Sequence, residues 1–375
     1  MERLRNLYIG LVLAALAAPL LCVPGLRGFV QVAGFERKAP RPAVSAKAFL
    51  DGAFQNDLKA YYDRKYFGRG ELLKFKHLVF DAVNLGHYHA GYSGNVVQGR
   101  DGFLFERGYL DVLFNPPTKY HTPAHRRQFA ETAAALQRAV EARGAAFGLI
   151  LAPSKPEACP GLVPARYRRF SRAPADFDLY GGLSDALASA RIPHVNGAEL
   201  SRPFLDTDVL FPYTGTHWSV YCAAMAATNL IGQINPVAPT NDLPAPVVLG
   251  MEYKSEPYDI HDRDIADLLN LPRPYRRVPD RYPHPVFAPP TARPGKAVIL
   301  GDSFCDQLLA ALQDSGAYRD VVMFSNQLPT QGELESALAG ADLVVYAYSA
   351  HALARDRVPR EMQYALELLT VFREP

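Results

Sequence analysis

From Pro123 onwards, short apolar runs alternate with longer stretches in which apolar residues recur every three or four positions. The run Phe147–Ala152 has no polar face, which is typical of a strand buried on both sides of a sheet. The periodic stretch that begins at Pro123 places Phe129, Ala133 and Leu136 on one face and fits an amphipathic helix. Repetition of such units predicts an α/β fold with a doubly wound, mainly parallel sheet.

The same reasoning predicts the remaining elements of this part of the chain. Further strands are predicted at Ile192–Val195, Ala297–Leu300, Val321–Phe324 and Leu343–Ala347. Further helices are predicted at Asp178–Ala190, Ser219–Ile231, Phe304–Gln313, Gln331–Ala339 and Arg360–Phe372. Thirteen prolines between Asn235 and Gly295 interrupt the alternation. Because proline breaks regular elements, we predict an irregular insertion over 235–295 with one ordered piece, Asp262–Leu271.

The chain before Pro123 has a different pattern. Residues 27–90 predict a linker followed by a helical extension, from Lys47 to about Leu85, with apolar residues at helical spacing. Two short apolar runs flank an Arg-Asp-Gly turn in Asn95–Phe105 and predict a β-hairpin. We therefore expect the main domain to cover residues 91–375.

The N-terminus indicates export. Arg3 and Arg5 precede an uncharged stretch, Asn6–Leu26, and Arg27 closes it. Such a stretch is long enough to cross a bilayer, since about 20 apolar residues span the hydrocarbon. It also resembles a signal peptide, but no small-residue cleavage site follows it. We favour an uncleaved anchor at residues 1–26 in the inner membrane, with the rest of the chain in the periplasm.

Composition excludes several functions. Lys and Arg number 40 against 38 Asp and Glu, a balance that gives no electrostatic footprint for nucleic acid. The four cysteines (Cys22, Cys159, Cys222 and Cys305) lack metal-ligand spacing, so neither a metal nor another cofactor is expected. A disulfide from Cys159 to Cys222 or Cys305 would suit an oxidising compartment, but we favour isolated buried thiols.

Ser303 is the candidate nucleophile. The predicted strand Ala297–Leu300 runs into Gly301-Asp302-Ser303, and an amphipathic helix follows at once. In open α/β sheets ligands bind at the carboxyl ends of strands, and the N-terminus of a helix supplies free N–H groups for an oxyanion. A helix N-cap would use the same residue types, so Ser303 needs a base before the catalytic interpretation stands.

His217 is the candidate base. It lies in the turn-rich segment Phe211–Ser219, just before a predicted helix, rather than on an apolar helix face. Loops of parallel α/β sheets carry functional groups, and an imidazole suits proton transfer near neutral pH. A serine hydroxyl needs such a neighbour to become a good nucleophile. A surface or capping histidine is the alternative, and His351 is a second candidate base.

Four segments in this order resemble the periplasmic alginate O-acetyltransferases of the AlgJ/AlgX type, which have an SGNH-hydrolase-like domain. They are the hairpin Val97–Phe105, the turn Pro153–Lys155, the box Thr214–Ser219 and the turn Gly301–Phe304. Asp264–Leu269 fits the resemblance less specifically. The resemblance implies an SGNH-like fold in which Ser303 takes an acetyl group, with His217 as base, and transfers it to a polysaccharide hydroxyl. It also implies a membrane-bound O-acyltransferase partner that supplies the acetyl group.

One departure from the family pattern concerns the acid that orients the histidine. The family has Asp two residues before the His, and this chain has Gly215 there. Either another acid takes over, with Asp302, Asp206 and Asp208 as candidates, or a backbone carbonyl orients the ring in a Ser–His dyad. The third alternative is an inactive site that only binds glycan. We favour one of the first two.

Other residues are candidates for lesser roles. Asn326 follows a predicted strand and is a candidate oxyanion donor, although Asn is also a common turn residue. Lys155 either contacts an anionic substrate or is simply solvated. Aromatic side chains either line a sugar-binding groove or belong to the core; these are Tyr213, Trp218, Tyr346 and Tyr348.

The sequence therefore predicts an exported serine O-acetyltransferase that acts on an exopolysaccharide. A polysaccharide acetylesterase is the first alternative, since the two reactions share every step until water or a sugar resolves the acyl-enzyme. A noncatalytic glycan-binding or assembly subunit is the second, and Gly215 is its main support. Activity on a chromogenic acetyl ester distinguishes the enzymes from the binding subunit.

Overall fold

The computed structural model describes residues 44–58, 95–117, 122–237, 242–269, 271, 275, 278–290, 294–355 and 357–370. The chain divides into two compact units, one formed by Val97–Ile265 with Arg276–Pro375 and the other by Met1–Val96 with Ala266–Tyr275. In the second unit, helix α1 (Ala46–Leu50) starts at Ser45, whose hydroxyl accepts a hydrogen bond from the Ala48 N–H. The predicted anchor at 1–26 and most of the predicted helical extension lie outside the described residues.

The predicted hairpin is present as strands β1 (Val96–Gln98) and β2 (Leu104–Glu106), which form a two-stranded sheet. Helix α2 (Arg107–Phe114) follows directly. The long helix α3 (Pro123–Glu141) starts where Thr122 caps it and Pro123 occupies its first turn, as the sequence predicts.

In the part of the chain that the structure describes, the central sheet has five strands: β3 (Ala146–Ala152), β4 (His194–Asn196), β7 (Gly295–Gly301), β8 (Tyr318–Ser325) and β9 (Leu343–Ser349). Their order is β4-β3-β9-β7-β8, and every neighbouring pair is parallel. All seven residues of β3 and all seven of β9 are buried, which explains their uninterrupted apolar sequences. The predicted α/β fold with a mainly parallel sheet is confirmed.

Helices lie between the strands along the chain. In chain order they are α4 (Lys155–Ala158), α5 (Ala165–Arg169), α6 (Leu179–Ser189), α7 (Gly197–Ser201), α8 (Val220–Ile234), α9 (Asp264–Leu268), α10 (Cys305–Asp314), α11 (Gln331–Leu338), α12 (Ala350–Leu353) and α13 (Arg357–Thr370). Short 3₁₀ turns lie at Arg100–Gly102, Pro160–Leu162, Arg202–Phe204 and Ile260–Arg263. None of the described helices combines the length and the apolar character that crossing a bilayer requires.

The insertion over 235–295 is more regular than its prolines predict. Strands β5 (Val248–Lys254) and β6 (Tyr282–Phe287) pair antiparallel, and the β6 residues Pro283 and Pro285 face Tyr253 and Met251. Proline cannot donate to a ladder, but it is tolerated on an edge strand, and both strands of a two-stranded sheet are edges. The prediction that this segment lacks regular elements other than Asp262–Leu271 was therefore wrong.

Candidate active site

The carboxyl ends of three neighbouring strands meet at one edge of the central sheet. Gly301, the last residue of β7, pairs with Ala347 of β9 on one side and Ser325 of β8 on the other. A Cβ atom at position 301 would lie 1.9 Å from the Ala347 carbonyl oxygen, so only glycine allows this close approach. The chain then turns away from the sheet and places Ser303 just before helix α10.

Ser303 and His217 are brought together at this edge. The Ser303 hydroxyl oxygen lies 2.7 Å from Nε2 of His217, although 86 positions separate the two residues. Ser303 is half-buried and His217 is 8% exposed. This is the distance of a hydrogen bond through which the imidazole can accept the hydroxyl proton.

Trp218 holds the histidine loop against the serine turn. Its side chain is fully buried, and its indole N–H donates to the Phe304 carbonyl oxygen at 2.9 Å. The Phe304 ring also packs against the His217 ring, with centroids 5.0 Å apart. Trp218 therefore lies in the core beneath the site rather than in a sugar-binding groove.

The other nitrogen of His217 faces Asp264. Asp264 Oδ2 lies 2.6 Å from His217 Nδ1, and the acid stands at the start of helix α9. Its second oxygen, Oδ1, accepts from the backbone N–H groups of Thr216 at 2.8 Å and Ile265 at 2.7 Å. Both carboxylate oxygens are thus bonded, which fixes the carboxylate and, through Nδ1, the plane of the imidazole.

The three acids that the sequence suggested for this role lie elsewhere, so those candidates were wrong. Asp302 is adjacent to the serine, but its carboxylate points back to the sheet. One of its oxygens accepts from the N–H and hydroxyl of Ser349 at 2.9 and 2.7 Å, and the other accepts from the Phe304 N–H at 3.0 Å. Burial raises the pKa of Asp302, and the Ser349 bonds oppose that shift. The side chain ties the serine turn to the end of β9.

Asp206 and Asp208 are engaged by other groups. Asp206 Oδ1 accepts from the Gly161 N–H at 2.6 Å. Asp208 is 4% exposed and accepts from Arg281 Nε and the Tyr253 hydroxyl, both at 2.7 Å. Each carboxylate therefore has a structural partner away from His217.

The absence of a side chain at Gly215 allows another segment to supply the orienting acid. A Cβ at this position would lie 2.4 Å from the His261 carbonyl oxygen and 3.0 Å from that of Asp262. The segment that carries Asp264 therefore packs directly against Gly215. The Thr214 hydroxyl donates to the Asp262 carbonyl oxygen at 2.8 Å and holds the two segments together. Absence of a side chain at 215 lets the insertion approach closely enough to supply Asp264.

Lys155 is neither solvated nor aimed at a substrate site, which corrects both sequence-based interpretations. It is 2% exposed, and its ammonium donates to three backbone carbonyl oxygens of the loop before His217. The distances are 2.5 Å to Pro212, 3.0 Å to Tyr213 and 2.7 Å to Gly215. A fully bonded, buried ammonium has no donor left for a ligand.

The remaining aromatic candidates separate into two groups. Tyr346 and Tyr348 are buried in the core, 2% and 1% exposed, so the groove interpretation was wrong for them. Tyr213 is half-buried and packs against Phe103, with ring centroids 4.4 Å apart. Its contacts fix the histidine loop to the hairpin.

Asn326 lies next to the serine turn. It adopts a left-handed backbone conformation, with φ of 56°, and its N–H donates to the Gly301 carbonyl oxygen at 2.9 Å. Its side-chain amide is exposed at the carboxyl end of β8 beside β7, and it donates one long hydrogen bond, of 3.5 Å, to the Ser325 hydroxyl oxygen. Among the described residues, none accepts a hydrogen bond from the Ser303 N–H. Asn326 and the Ser303 N–H therefore offer donors at the same edge of the sheet.

His261 and Glu106 are ionisable residues near the His217–Asp264 pair. The rings of His261 and His217 meet edge to face, with centroids 4.7 Å apart. Asp259 and Asp306 lie 3.3 Å from the two nitrogens of His261 and raise its pKa to about 10, so this imidazole carries a proton at neutral pH. Glu106 accepts from the Thr216 hydroxyl at 3.2 Å, and burial raises its pKa, with Asp264 adding to the shift.

The described cysteines are unpaired, and the described residues contain no metal-ligand cluster. Cys159, Cys222 and Cys305 are buried free thiols, as the sequence favoured. Across the described ranges, no cluster of three or more His, Cys, Asp or Glu side chains is arranged to hold a metal ion. The described site holds a hydroxyl, an imidazole and a carboxylate in series.

Sequence reasoning missed Asp264. The only signal was the weak resemblance of Asp264–Leu269, which gave the acid no role. Its pairing with His217 depends on how the proline-rich insertion packs against Gly215, and no local pattern encodes that contact.

The sequence and the fold are similar to those of known proteins. A family model described as the SGNH hydrolase-like domain of acetyltransferase AlgX matches residues 96–312. The O-acetyltransferase domain of Pseudomonas putida AlgJ has a similar fold, with a TM-score of 0.50, 19% identity, and coverage of 73% of this chain and 98% of that one. Pseudomonas aeruginosa AlgX gives a TM-score of 0.47 and 16% identity over 75% of this chain and 68% of that one. The comparison with curated proteins finds no match.

Proposed function

Because the chain belongs to the AlgX family of SGNH hydrolase-like acetyltransferases, we propose that it transfers acetyl groups to an exported polysaccharide through an acyl-enzyme on Ser303. One observation carries this proposal. Ser303, His217 and Asp264 form a continuous series of hydrogen bonds, with distances of 2.7 and 2.6 Å. Such a series is the geometry by which a serine triad is recognised, whatever the order of its members in the chain.

In the first half-reaction, Ser303 Oγ attacks the carbonyl carbon of an acetyl donor while its proton passes to His217 Nε2. Asp264 holds the Nδ1–H and stabilises the imidazolium that forms. The tetrahedral intermediate collapses, the bond from the acyl carbon to the donor's oxygen breaks, and His217 returns the proton to that oxygen. Ser303 is left as an acetyl ester.

In the second half-reaction, a sugar hydroxyl gives its proton to His217 Nε2 and attacks the acetyl carbonyl carbon. The bond from that carbon to Ser303 Oγ then breaks, and Oγ regains the proton from His217. The acetyl group ends on the sugar oxygen, and the enzyme returns to its starting state. Water in place of the sugar gives free acetate, which is the esterase alternative.

The oxyanion of each tetrahedral intermediate needs hydrogen-bond donors. The Ser303 N–H stands at the beginning of helix α10, where the helix dipole also favours negative charge. Asn326 at the neighbouring strand end supplies a second donor from its side chain. Such donors stabilise the transition state because they are oriented before the charge develops.

The family and the N-terminal sequence support proposals for the substrate, the partner and the location. We propose an alginate-like or other exopolysaccharide as acceptor. We propose that a membrane-bound O-acyltransferase supplies the acetyl group, and that residues 1–26 keep the protein at the periplasmic face of the inner membrane. A noncatalytic glycan-binding subunit would have no chemical need of a serine whose imidazole and carboxylate neighbours are both within hydrogen-bonding distance.

The test uses the purified full chain with a chromogenic acetyl ester and alginate oligosaccharides. The proposal predicts acetylated oligosaccharide, with a yield that rises with acceptor concentration at the expense of free acetate. Ser303→Ala is the matched variant and should lose both products. An amount of free acetate that does not change with acceptor concentration would favour the esterase. Binding of the oligosaccharide without any turnover would favour the glycan-binding subunit.

A further inference from the structure

Lys155 stands at the centre of the loop that leads to His217. Its ammonium donates to the carbonyl oxygens of Pro212, Tyr213 and Gly215, at 2.5, 3.0 and 2.7 Å. We propose that Lys155 is a positioning residue for the base: its ammonium acts as a built-in cation around which the loop folds, and this sets the place of His217 against Ser303. The inference rests on the proposed function, because it assigns a role in the same site.

The number of hydrogen-bond partners supports a role for the charged form of Lys155. An ammonium has three N–H donors, and the loop offers three carbonyl oxygens to it. The faces of Phe103 and Phe105 cover the nitrogen at 5.2 and 5.8 Å from their centroids, which adds cation–π attraction. Burial lowers the pKa of Lys155 to about 7, while the three carbonyls and the nearby Asp264 favour the protonated form.

The ammonium offsets a repulsion within the loop. Three carbonyl dipoles converge on one buried point, where they would repel one another and each lose a hydrogen bond if the ammonium were absent. Two of these oxygens also accept from backbone N–H groups, Tyr213 from Leu104 at 2.9 Å and Pro212 from Gly215 at 3.4 Å. His217 follows Gly215 by two residues, so a shift of the loop carries the imidazole with it.

The loop is anchored on its other side by bonds that Lys155 does not make. The Ser219 N–H donates to the Leu210 carbonyl oxygen at 2.8 Å, and the Ser219 hydroxyl caps helix α8. Loss of the ammonium should therefore displace residues 212–217 while helix α8 stays in place. The consequence is a misplaced base in a folded protein.

Removal of the side chain leaves a cavity that a small ammonium ion can refill. In Lys155→Ala, methylammonium or ethylammonium chloride should restore the three hydrogen bonds. Tetramethylammonium has the same charge but no N–H group and should not. The rate of covalent labelling of Ser303 by an aromatic sulfonyl fluoride, followed by intact mass, reports the activated hydroxyl without needing a sugar or an acetyl donor.

The matched control is Lys296→Ala. Lys296 also donates to backbone carbonyl oxygens, at 2.8 Å to Ala339 and 3.4 Å to Ser336, but it lies near the start of β7, at the opposite end from the serine. We expect Lys155→Ala to slow labelling by about 10²-fold, the cost of a misplacement of ~1 Å. Alkylammonium should recover much of that loss and raise the melting temperature. In Lys296→Ala, Ser303 should be labelled at the wild-type rate, and alkylammonium should not change that rate.

Lys155→Met separates charge from packing, because it keeps most of the aliphatic stem and fills the cavity. Ser303 in the Lys155→Met protein should be labelled slowly, and alkylammonium should not change that rate. Wild-type labelling rates in Lys155→Ala would overturn the inference while leaving the proposed function intact. The inference would also be overturned if no ammonium ion changed the stability or the Ser303 labelling rate of Lys155→Ala. Absence of Ser303 labelling in the wild-type chain would instead count against the proposed function.

Discussion

The carboxylate of Asp264 lies 2.6 Å from Nδ1 of His217, although 47 positions separate the two residues. The acid comes from the proline-rich insertion, whereas the histidine belongs to a loop that ends at helix α8. The insertion reaches the histidine because Gly215 has no side chain to keep it away. The site is therefore completed by a contact between two segments, not by one local motif.

The first prediction concerns Asp264→Asn. Replacement by the amide should lower kcat by about 10⁴-fold, because the neutral side chain no longer stabilises the imidazolium or fixes its tautomer. KM for the acetyl ester should change little. Asp206→Asn is the control, since that carboxylate bonds the Gly161 N–H and should leave kcat within a few-fold of wild type. Equal activities of the two variants would show that Asp264 has no part in the reaction.

Gly215→Ala tests the contact that brings the acid into place. Its Cβ would meet the His261 carbonyl oxygen at 2.4 Å, so the segment that bears Asp264 must move. We expect a loss of about 1–3 kcal/mol in the free energy of unfolding and a fall in kcat. Gly232→Ala, in helix α8 with nothing within 4 Å of its Cβ, should instead gain about 0.5–1 kcal/mol. Denaturant titration and steady-state kinetics measure both effects.

Asn326→Ala tests the second oxyanion donor. Loss of one such donor typically lowers kcat by about 10²–10³-fold. Asn229→Ala removes an amide on the exposed side of helix α8, where Asn229 accepts from Gln233, and should have no effect on kcat. A wild-type kcat for Asn326→Ala would assign the oxyanion to other donors.

His261 gives a pH-dependent prediction. Asp259 and Asp306 raise its pKa to about 10 in the folded protein, compared with about 6.5 in an unfolded chain. A raised pKa means that the contribution to stability is complete below about pH 6.5 and disappears as the pH rises to about 10. The difference in unfolding free energy between wild type and His261→Gln should therefore shrink across this interval.

The control for that series is the same substitution in a protein that already carries Asp259→Asn and Asp306→Asn. Neither carboxylate then faces the ring of His261. The effect of His261→Gln on the unfolding free energy should vary far less with pH in that background. If the difference in unfolding free energy between wild type and His261→Gln stays constant from pH 6.5 to 10, the two aspartates do not hold a charged imidazole.

Much of the fold was readable from the sequence because buried parallel strands leave a strong signal. The run Ala297–Leu300 is apolar on both faces, and the structure extends the strand only to Gly295–Gly301. Ser303 and His217 were also identifiable as candidates, since one follows a strand end and the other precedes a helix. These are local relationships that neighbouring residues determine.

What the sequence could not supply depends on packing. Asp264 acquires its role through a tertiary contact. A lysine such as Lys155 is ordinarily expected at a surface, but here three converging carbonyl oxygens accept its hydrogen bonds, so it can be buried. The strand Tyr282–Phe287 was missed because its two prolines argue against a strand, although an edge of a two-stranded sheet accepts them. In each case the physical reason appears only once distant segments meet.

The central claim is that Ser303, His217 and Asp264 act as one nucleophilic unit, and trapping of the acetyl-enzyme tests it most directly. The full chain is mixed with a chromogenic acetyl ester, quenched in acid, digested and analysed by mass spectrometry. Our account predicts one added acetyl group, on the peptide that contains Ser303, absent in Ser303→Ala and formed far more slowly in His217→Ala and Asp264→Asn. Acetylation at another residue, or at Ser303 with the same rate in all three proteins that retain the serine, would contradict it.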